Sequence, residues 1–281
     1  MPVTGWHRPC LLAALLAPVG LAQPALAQEV TGDGEIAYVD QVETVLVCPD
    51  GKYQSGCDES DLIRAVERIE DLPTDIETRC LYETKARCYP VAFGRIITVE
   101  QGRPLTWQHM VLYPEDGPRV EMMAILEGVT ANDLYVLVAR QTEGWFAPPQ
   151  LVENTNELML LHGPGRTGGT GMGNADIVLS RHEQGWTTFD VNELLFEAEQ
   201  MLPAGFSLAS GVNFDFREMF VAVPVKRESD GGCCATGGTA FIDLAMPAGN
   251  LMNVASITFN ETKPVETHRI QAPGSEANTH E

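Results

Sequence analysis

The spacing of hydrophobic and polar positions predicts a chain built mostly from short β-strands. Beyond residue 90, short apolar runs alternate with turn residues, a pattern typical of strands joined by tight connections. The predicted strands are 93–99, 107–113, 120–126, 134–140, 158–162, 176–182, 206–208, 219–226, 239–244 and 253–259, and a further one is predicted upstream at 35–47. The expected fold class is therefore mainly β, with antiparallel hairpins that form a sandwich or a meander.

Two short helices interrupt the strand pattern. Asp58 and the acidic residues after it can cap a helix over 58–71, in which Leu62 and Val66 fall on one face before Pro73 ends it. A second helix is expected over 191–202, because Asp190 followed by Glu193 is an Asp variant of the capping box.

Three segments resemble one another: 134–145, 176–186 and 221–231. Each is an apolar strand followed by an Arg, a few polar residues and a turn Gly, which indicates β-hairpins. Trp145 and Trp186 follow the turn glycines of the first two segments, so equivalent hairpin positions are expected for them. The turn glycines are irregularly spaced, and a propeller is therefore less favoured than a sandwich or meander.

The composition excludes several functional classes. The 281 residues are 44% hydrophobic and 20% charged, which suits a chain with a real core. The formal net charge is −21, so the surface as a whole repels nucleic-acid phosphates and anionic lipid headgroups. Neither nucleic-acid binding nor membrane insertion is expected.

The N-terminus has the pattern of a secretory signal peptide over 1–27. His7 and Arg8 precede an apolar run, and Ala25 and Ala27 supply the small residues of an A-x-A cleavage site. The expected organisation is a signal peptide at 1–27, a disulfide-rich segment with one helix at 28–90, a β-rich domain at 91–261 and a disordered tail at 262–281. The protein is accordingly expected in the periplasm or outside the cell.

Six cysteines follow the expected cleavage point, and an even number in an exported chain indicates disulfides. Cys48 pairs best with Cys57 across a Pro-Asp-Gly turn, and Cys80 with Cys88, because short loops close most easily. The two remaining cysteines, Cys233 and Cys234, are adjacent and flanked by glycines. They are expected to be oxidised, to each other or to another Cys; a thiol or soft-metal sensor is the alternative. The sequence has no zinc-site spacing.

The stretch 162–173 is the most conspicuous candidate for a binding site. It begins at His162, contains many glycines and carries Arg166 at its centre, so a long surface loop in which Arg166 contacts an anion is expected. Its G-x-G-x-x-G spacing does not lie between a strand and a helix, so no dinucleotide cofactor is predicted. Trp145 and Trp186 are expected to pack in the core or at strand ends. If both are exposed, they complete the ligand-binding candidates as stacking platforms for a sugar or peptide. No catalytic or metal-ligating residue is predicted, although a cleft gathering His162, Arg166 and a carboxylate would favour an enzyme.

The run 227–238, with its adjacent Cys233 and Cys234, resembles the Asp-Gly-Asp-Cys-Cys-Pro-Ser/Thr-Gly-Gly hairpin of uncharacterised bacterial envelope proteins. Gly232 replaces a common acidic residue there, and Ala235 replaces a common Pro. The resemblance extends over about 130–245 and implies an envelope location and a β-rich architecture. The expected function is non-enzymatic, in binding or envelope maintenance, with a small-molecule, glycan or envelope-protein ligand. A secreted hydrolase with its site near residues 163–173 is the alternative.

Overall fold

The computed structural model describes residues 45–67, 76–99, 103–128, 134–169, 172–182, 185–232, 234–246 and 252–262. All of them belong to one compact unit. The helices are α1 (Glu59–Glu67) and α2 (Val191–Gln200), and the strands are β1 (Arg87–Ile96), β2 (Leu105–Tyr113), β3 (Val120–Glu127), β4 (Tyr135–Thr142), β5 (Trp145–Phe146), β6 (Gln150–Asn154), β7 (Met159–Gly163), β8 (Gly165–Arg166), β9 (Ile177–His182), β10 (Gly185–Phe189), β11 (Phe206–Leu208), β12 (Phe214–Asp215), β13 (Phe220–Arg227), β14 (Gly238–Ala245) and β15 (Asn253–Glu261).

Every strand pair is antiparallel within the described ranges, and the mainly β prediction is confirmed. The N-terminal sheet has the order β1-β2-β3-β4, the middle sheet β10-β9-β7-β6 and the C-terminal sheet β11-β13-β14-β15, with β12 also paired to β13. A two-stranded ribbon, β5-β8, lies outside these three sheets. The described strands close neither a barrel nor a propeller.

The three sheets pack face to face around separate cores. In β3, Met122 and Ala124 belong to an N-terminal core, whereas Met123 and Ile125 belong to a central core shared with the middle sheet. Successive strand residues point to opposite faces, so both faces of β3 are covered. The middle sheet is likewise covered on both faces. One face contributes to the central core, and the other packs with α2 and the C-terminal sheet in a C-terminal core. Strands buried on both faces read as continuous apolar runs.

The N-terminal segment packs directly on the N-terminal sheet through two glutamines, the buried Gln108 and the partly buried Gln141. Gln108 on β2 donates from Nε2 to the carbonyls of Ile76 and Arg79, at 2.6 and 2.8 Å, and accepts a bond from the Leu81 amide at 2.7 Å. Gln141 on β4 bonds to both the amide and the carbonyl of Val47. These glutamine side chains thus form hydrogen bonds with backbone amides and carbonyls of an irregular segment that lies against a face of the sheet.

Several boundaries differ from the predicted ones. The expected boundary between the N-terminal segment and the β-rich domain, after residue 90, falls inside β1, and the described part of the segment contributes to the N-terminal core. Val47 makes only an isolated bridge to Tyr53; residues 35–44 of the predicted strand, the C-terminal end of the first predicted helix and the predicted tail from 263 lie outside the described residues. The second helix begins at Val191 as predicted, where the Asp190 side chain accepts from the Asn192 amide.

Tyr53 joins the N-terminal segment to the N-terminal sheet. Its amide donates to Asp116 Oδ1 at 2.9 Å, in the turn between β2 and β3, and its hydroxyl donates to the carboxylate of Glu143. Partial burial, together with the hydrogen bond to Glu143, raises the pKa of the Tyr53 phenol from 10.0 to about 12. The phenol is therefore held in its protonated form.

We expect this contact to weaken only under strongly alkaline conditions. Because folding raises the pKa of Tyr53, its contribution to stability is complete below pH 10 and is lost as the pH approaches 12. The difference in phenolate absorbance between the wild type and Tyr53→Phe should show a midpoint near 12, and Glu143→Gln should lower that midpoint. A midpoint near 10 in the wild type would contradict the contact.

Candidate functional site

A buried carboxylate organises the centre of the candidate site. Asp176, directly before β9, is 1% exposed. Its Oδ1 lies 2.7 Å from His162 Nε2, and its Oδ2 accepts bonds from Arg166 Nη1 at 3.2 Å and Asn174 Nδ2 at 2.8 Å. A buried charge is tolerated only when it is paired and hydrogen-bonded, and Asp176 meets both conditions.

Arg166 is committed to the protein rather than to a solvent anion. It is 5% exposed, and besides Asp176 it donates to its neighbour's carbonyl at Gly165, to the Val212 carbonyl at 2.6 Å and to Asn213 Oδ1. Arg166 is therefore buried and paired within the protein, whereas an exposed Arg166 in contact with an anion was expected. Arg166 is buried because its guanidinium neutralises the buried Asp176 carboxylate. Its N–H groups also donate hydrogen bonds to the surrounding protein acceptors.

The glycine-rich stretch is packed where it was expected to be a surface loop. His162 and Gly163 end β7, and Gly165–Arg166 form β8, which pairs with β5. A Cβ on Gly165 would overlap the carbonyl of Ala175, so this glycine permits a close backbone approach. The expectation of a surface loop fails over 162–166, where glycine serves packing; residues 170 and 171 lie outside the described part.

An open cleft of about 440 Å³ lies beside this network. His162 and Asp176 form part of its wall, whereas Arg166 does not line it. The remaining lining comes from β6, the end of β7 and the segment around β12; it consists of Gln150, Val152, Pro164, Asn213, Phe214, Asp215, Phe216 and Arg217. The His162 ring packs edge-on against Phe216, with centroids 4.7 Å apart.

The rim of the cleft presents three kinds of polar group. Asn213 uses its oxygen to accept from Arg166, which leaves its amide nitrogen as a donor. Asp215 Oδ1 accepts from the amides of Arg217 and Glu218, at 3.0 and 3.2 Å, which fixes the turn. Gln150, Asn213, Asp215 and Arg217 are all exposed. The rim can thus donate to and accept from a polar molecule.

The two tryptophans do not occupy equivalent positions. Trp145 lies in the ribbon strand β5, is 43% exposed and has the Arg166 guanidinium 5.8 Å from its ring centroid. Trp186 lies in β10, in a true hairpin with β9, and packs partly buried against the central core. Their expected equivalence is wrong because β5 pairs with β8 and not with the preceding β4, and neither ring lines the cleft.

The two local disulfides are confirmed. Cys48 bonds to Cys57 with Cα atoms 5.8 Å apart, and Cys80 to Cys88 with Cα atoms 6.2 Å apart. Gly51 in the first loop has a φ of +85°, which explains the Pro-Asp-Gly turn signal.

The hairpin that carries the adjacent cysteines is described only in part. Cys233 lies outside the described residues, so its pairing stays a prediction, and Cys234 is exposed. Asp230 orders this connection between β13 and β14, because its carboxylate accepts from the Arg227 amide and from both the amide and hydroxyl of Thr236. The bonds from Thr236 and Arg227 lower the pKa of Asp230.

A second buried pair was not predicted from the sequence. His109 on β2 lies 2.8 Å from Glu121 on β3, and Glu121 also accepts from the Phe146 amide and from Arg119. His109 and Glu121 lie on predicted strands, at positions whose side chains face the central core. The only feature of the sequence that could have indicated the pair is the presence of a polar residue at each of these core-facing positions. No group of three or more potential metal ligands occurs among the residues described. Nor does any described helix have the length and apolar character needed to cross a membrane.

No family model, no curated protein and no solved structure matches this chain.

We expect Asp176→Asn to lower the free energy of unfolding by about 3–5 kcal/mol, because it leaves the buried Arg166 charge uncompensated. Urea unfolding followed by circular dichroism measures this, with the exposed Asp215→Asn as the matched control. Combining Asp176→Asn with Arg166→Met should cost less than the sum of the two single changes. A loss below about 0.5 kcal/mol for Asp176→Asn, typical of an uncritical surface position, would contradict the pairing.

Proposed function

We propose that this chain is an exported, non-enzymatic β-rich protein of the periplasm or cell surface that binds a small polar ligand in the cleft beside Asp176. The signal-like pattern over 1–27 supports export, and the two disulfides are compatible with an oxidising compartment. The resemblance of residues 227–238 to envelope proteins agrees with the same location.

The observation that best supports ligand binding is that the cleft has an ordered wall and a rim whose polar side chains are available to a ligand. Asp176 in the cleft wall is paired with Arg166, while the side chains of Gln150 and Arg217 make no hydrogen bond within the described part of the chain. A volume of about 440 Å³ accommodates a small molecule. Because the wall is already ordered, a ligand would bind without the entropy cost of arranging it.

Export predicts a shortened mature chain. When the full chain is expressed in a bacterium with a Sec system, the mature protein should begin near Gln28, because Ala25 and Ala27 supply the cleavage site. N-terminal sequencing of the periplasmic fraction measures this. Ala27→Arg, which removes a small residue, should leave the precursor unprocessed; a wild-type product that still begins at Met1 would contradict export.

Ligand binding predicts localised NMR shifts. A panel of amino acids, dipeptides and neutral mono- and disaccharides at millimolar concentration should include a compound that shifts the backbone amides of 213–217. Gln150→Ala and Arg217→Ala should weaken this effect, and the adjacent exposed Glu218→Ala, outside the lining, should not. If no compound shifts these amides, or if the shifts persist in both cleft variants, the cleft is not the binding site.

One observation favours hydrolysis as a second candidate function. His162 and Asp176 are 2.7 Å apart in the cleft wall, which is how an acid orients a histidine general base. The same NMR samples separate the two functions, because the ligand spectrum stays constant under binding and changes with time under hydrolysis. Conversion that disappears in His162→Asn, with the fold retained, would replace binding by catalysis.

A further inference from the structure

A second concave surface lies on the N-terminal sheet, away from the cleft. This surface, called the tyrosine groove below, has a volume of about 500 Å³ and is lined by Arg87, Tyr89, Val91, Val111, Tyr113 and Arg119. In the register of β1 and β2, Arg87 pairs with Tyr113 and Tyr89 with Val111, so the two tyrosines lie on one face of the sheet. Tyr89 is 52% exposed and Tyr113 is 38% exposed, in contrast to the buried Val111.

The walls of the tyrosine groove are held by side-chain contacts. The rings of Tyr89 and Tyr113 meet edge-on with centroids 5.9 Å apart, and the Arg87 guanidinium lies 5.8 Å from the Tyr113 centroid. Arg119 is paired with Glu121, whose carboxylate is buried and also contacts His109. An aromatic surface with one pre-positioned guanidinium on each side is therefore present before any ligand binds.

The charge of the tyrosine groove is opposite to that of the chain as a whole. The net charge is −21, yet the groove lining contains two arginines and no carboxylate. Arg119 is partly neutralised by Glu121, whereas Arg87 makes no ion pair with any described residue. A guanidinium in this state favours a planar anion such as a carboxylate, which it can bind with two parallel hydrogen bonds.

The edge strand argues against a peptide as the occupant. β1 is the edge of its sheet, but the strand contains Pro90, and its register with β2 shifts between Pro90 and Ala92. Proline lacks a donor and a bulge bends the edge, so both disfavour the addition of another strand. Recognition at this surface must come from side chains.

We propose that the tyrosine groove binds a carboxylate-bearing saccharide. The flat face of the sugar ring packs on Tyr89, and the carboxylate of the same ring pairs with Arg87. This ligand supplies both features that the groove matches, an apolar face and a planar anion, without requiring backbone hydrogen bonds from β1.

Isothermal titration with tetragalacturonate as the probe tests the assignment on the full mature protein. Arg87→Gln and Tyr89→Ala should each weaken binding about tenfold, equivalent to about 1.4 kcal/mol. Arg95→Gln is the matched control, because Arg95 is an exposed residue of the same strand outside the groove. Arg217→Ala in the cleft should leave the affinity unchanged, which separates this site from the one proposed above.

Each alternative outcome overturns the assignment. If the methyl-esterified tetramer binds as tightly as the acid, the groove does not recognise a carboxylate. If a glutamate-rich peptide binds more tightly than the saccharide and Arg87→Gln weakens that binding, the occupant is a peptide. An absence of measurable binding, or equal loss in Arg87→Gln and Arg95→Gln, likewise rules out the proposed site. Raised salt should weaken a genuine Arg87 contact.

Discussion

The buried ion pair between Arg166 and Asp176 is the constraint on which the junction of the sheets depends. Arg140 and Thr142 on β4 reach the backbone carbonyls of Asp176 and Arg166, both at 2.8 Å, and Arg166 in turn donates to the carbonyl of Val212 next to β12. Contacts to one charged pair thus come from the N-terminal sheet, the middle sheet, the ribbon and the C-terminal part of the chain. Because an unpaired charge there is costly, these elements are held in one arrangement.

The cleft follows from the same constraint. His162 is positioned by Asp176 on one side and by Phe216 on the other, and Asn213 is oriented by Arg166. A chain segment near β12 that would otherwise be a loose connection is thereby fixed against the end of β7. The position of Asn213 in the polar rim therefore follows from how the protein pairs a buried charge.

The sequence predicted the strands buried on both faces well, because such strands form continuous apolar runs. Apolar runs such as Val120–Glu127 and Ile177–His182 have little alternative to a sheet packed on both sides, and the local disulfides follow from loop length. The ribbon strands β5 and β8 have two residues each, too few for any periodicity. Their pairing depends on tertiary contacts that a local pattern does not contain.

The difference between the expected surface loop and the packed residues 162–166 has a physical cause. Glycine is frequent both in flexible loops and where two backbones approach closely, so its presence in the sequence does not distinguish the two cases. The backbone of Ala175, which lies against Gly165 in the structure, identifies this glycine as a site of close approach. Arg166 likewise looked exposed because basic residues usually are. The position of Asp176 could have indicated the buried ion pair. Asp176 is an acid at the start of an apolar strand, and a carboxylate buried there requires a cation to compensate its charge.

Net charge also proved a poor guide to the local surfaces of this protein. A net charge of −21 excludes a broad attraction of the protein to polyanions. The net charge does not show, however, that arginines lie close together at some places on the surface. Arg166 is paired with a buried acid, Asp176, whereas Arg87 lies beside exposed tyrosines and has no ion pair among the described residues. Two arginines of equal charge therefore differ in what they can bind, and the difference is set by whether a carboxylate of the chain already occupies the guanidinium.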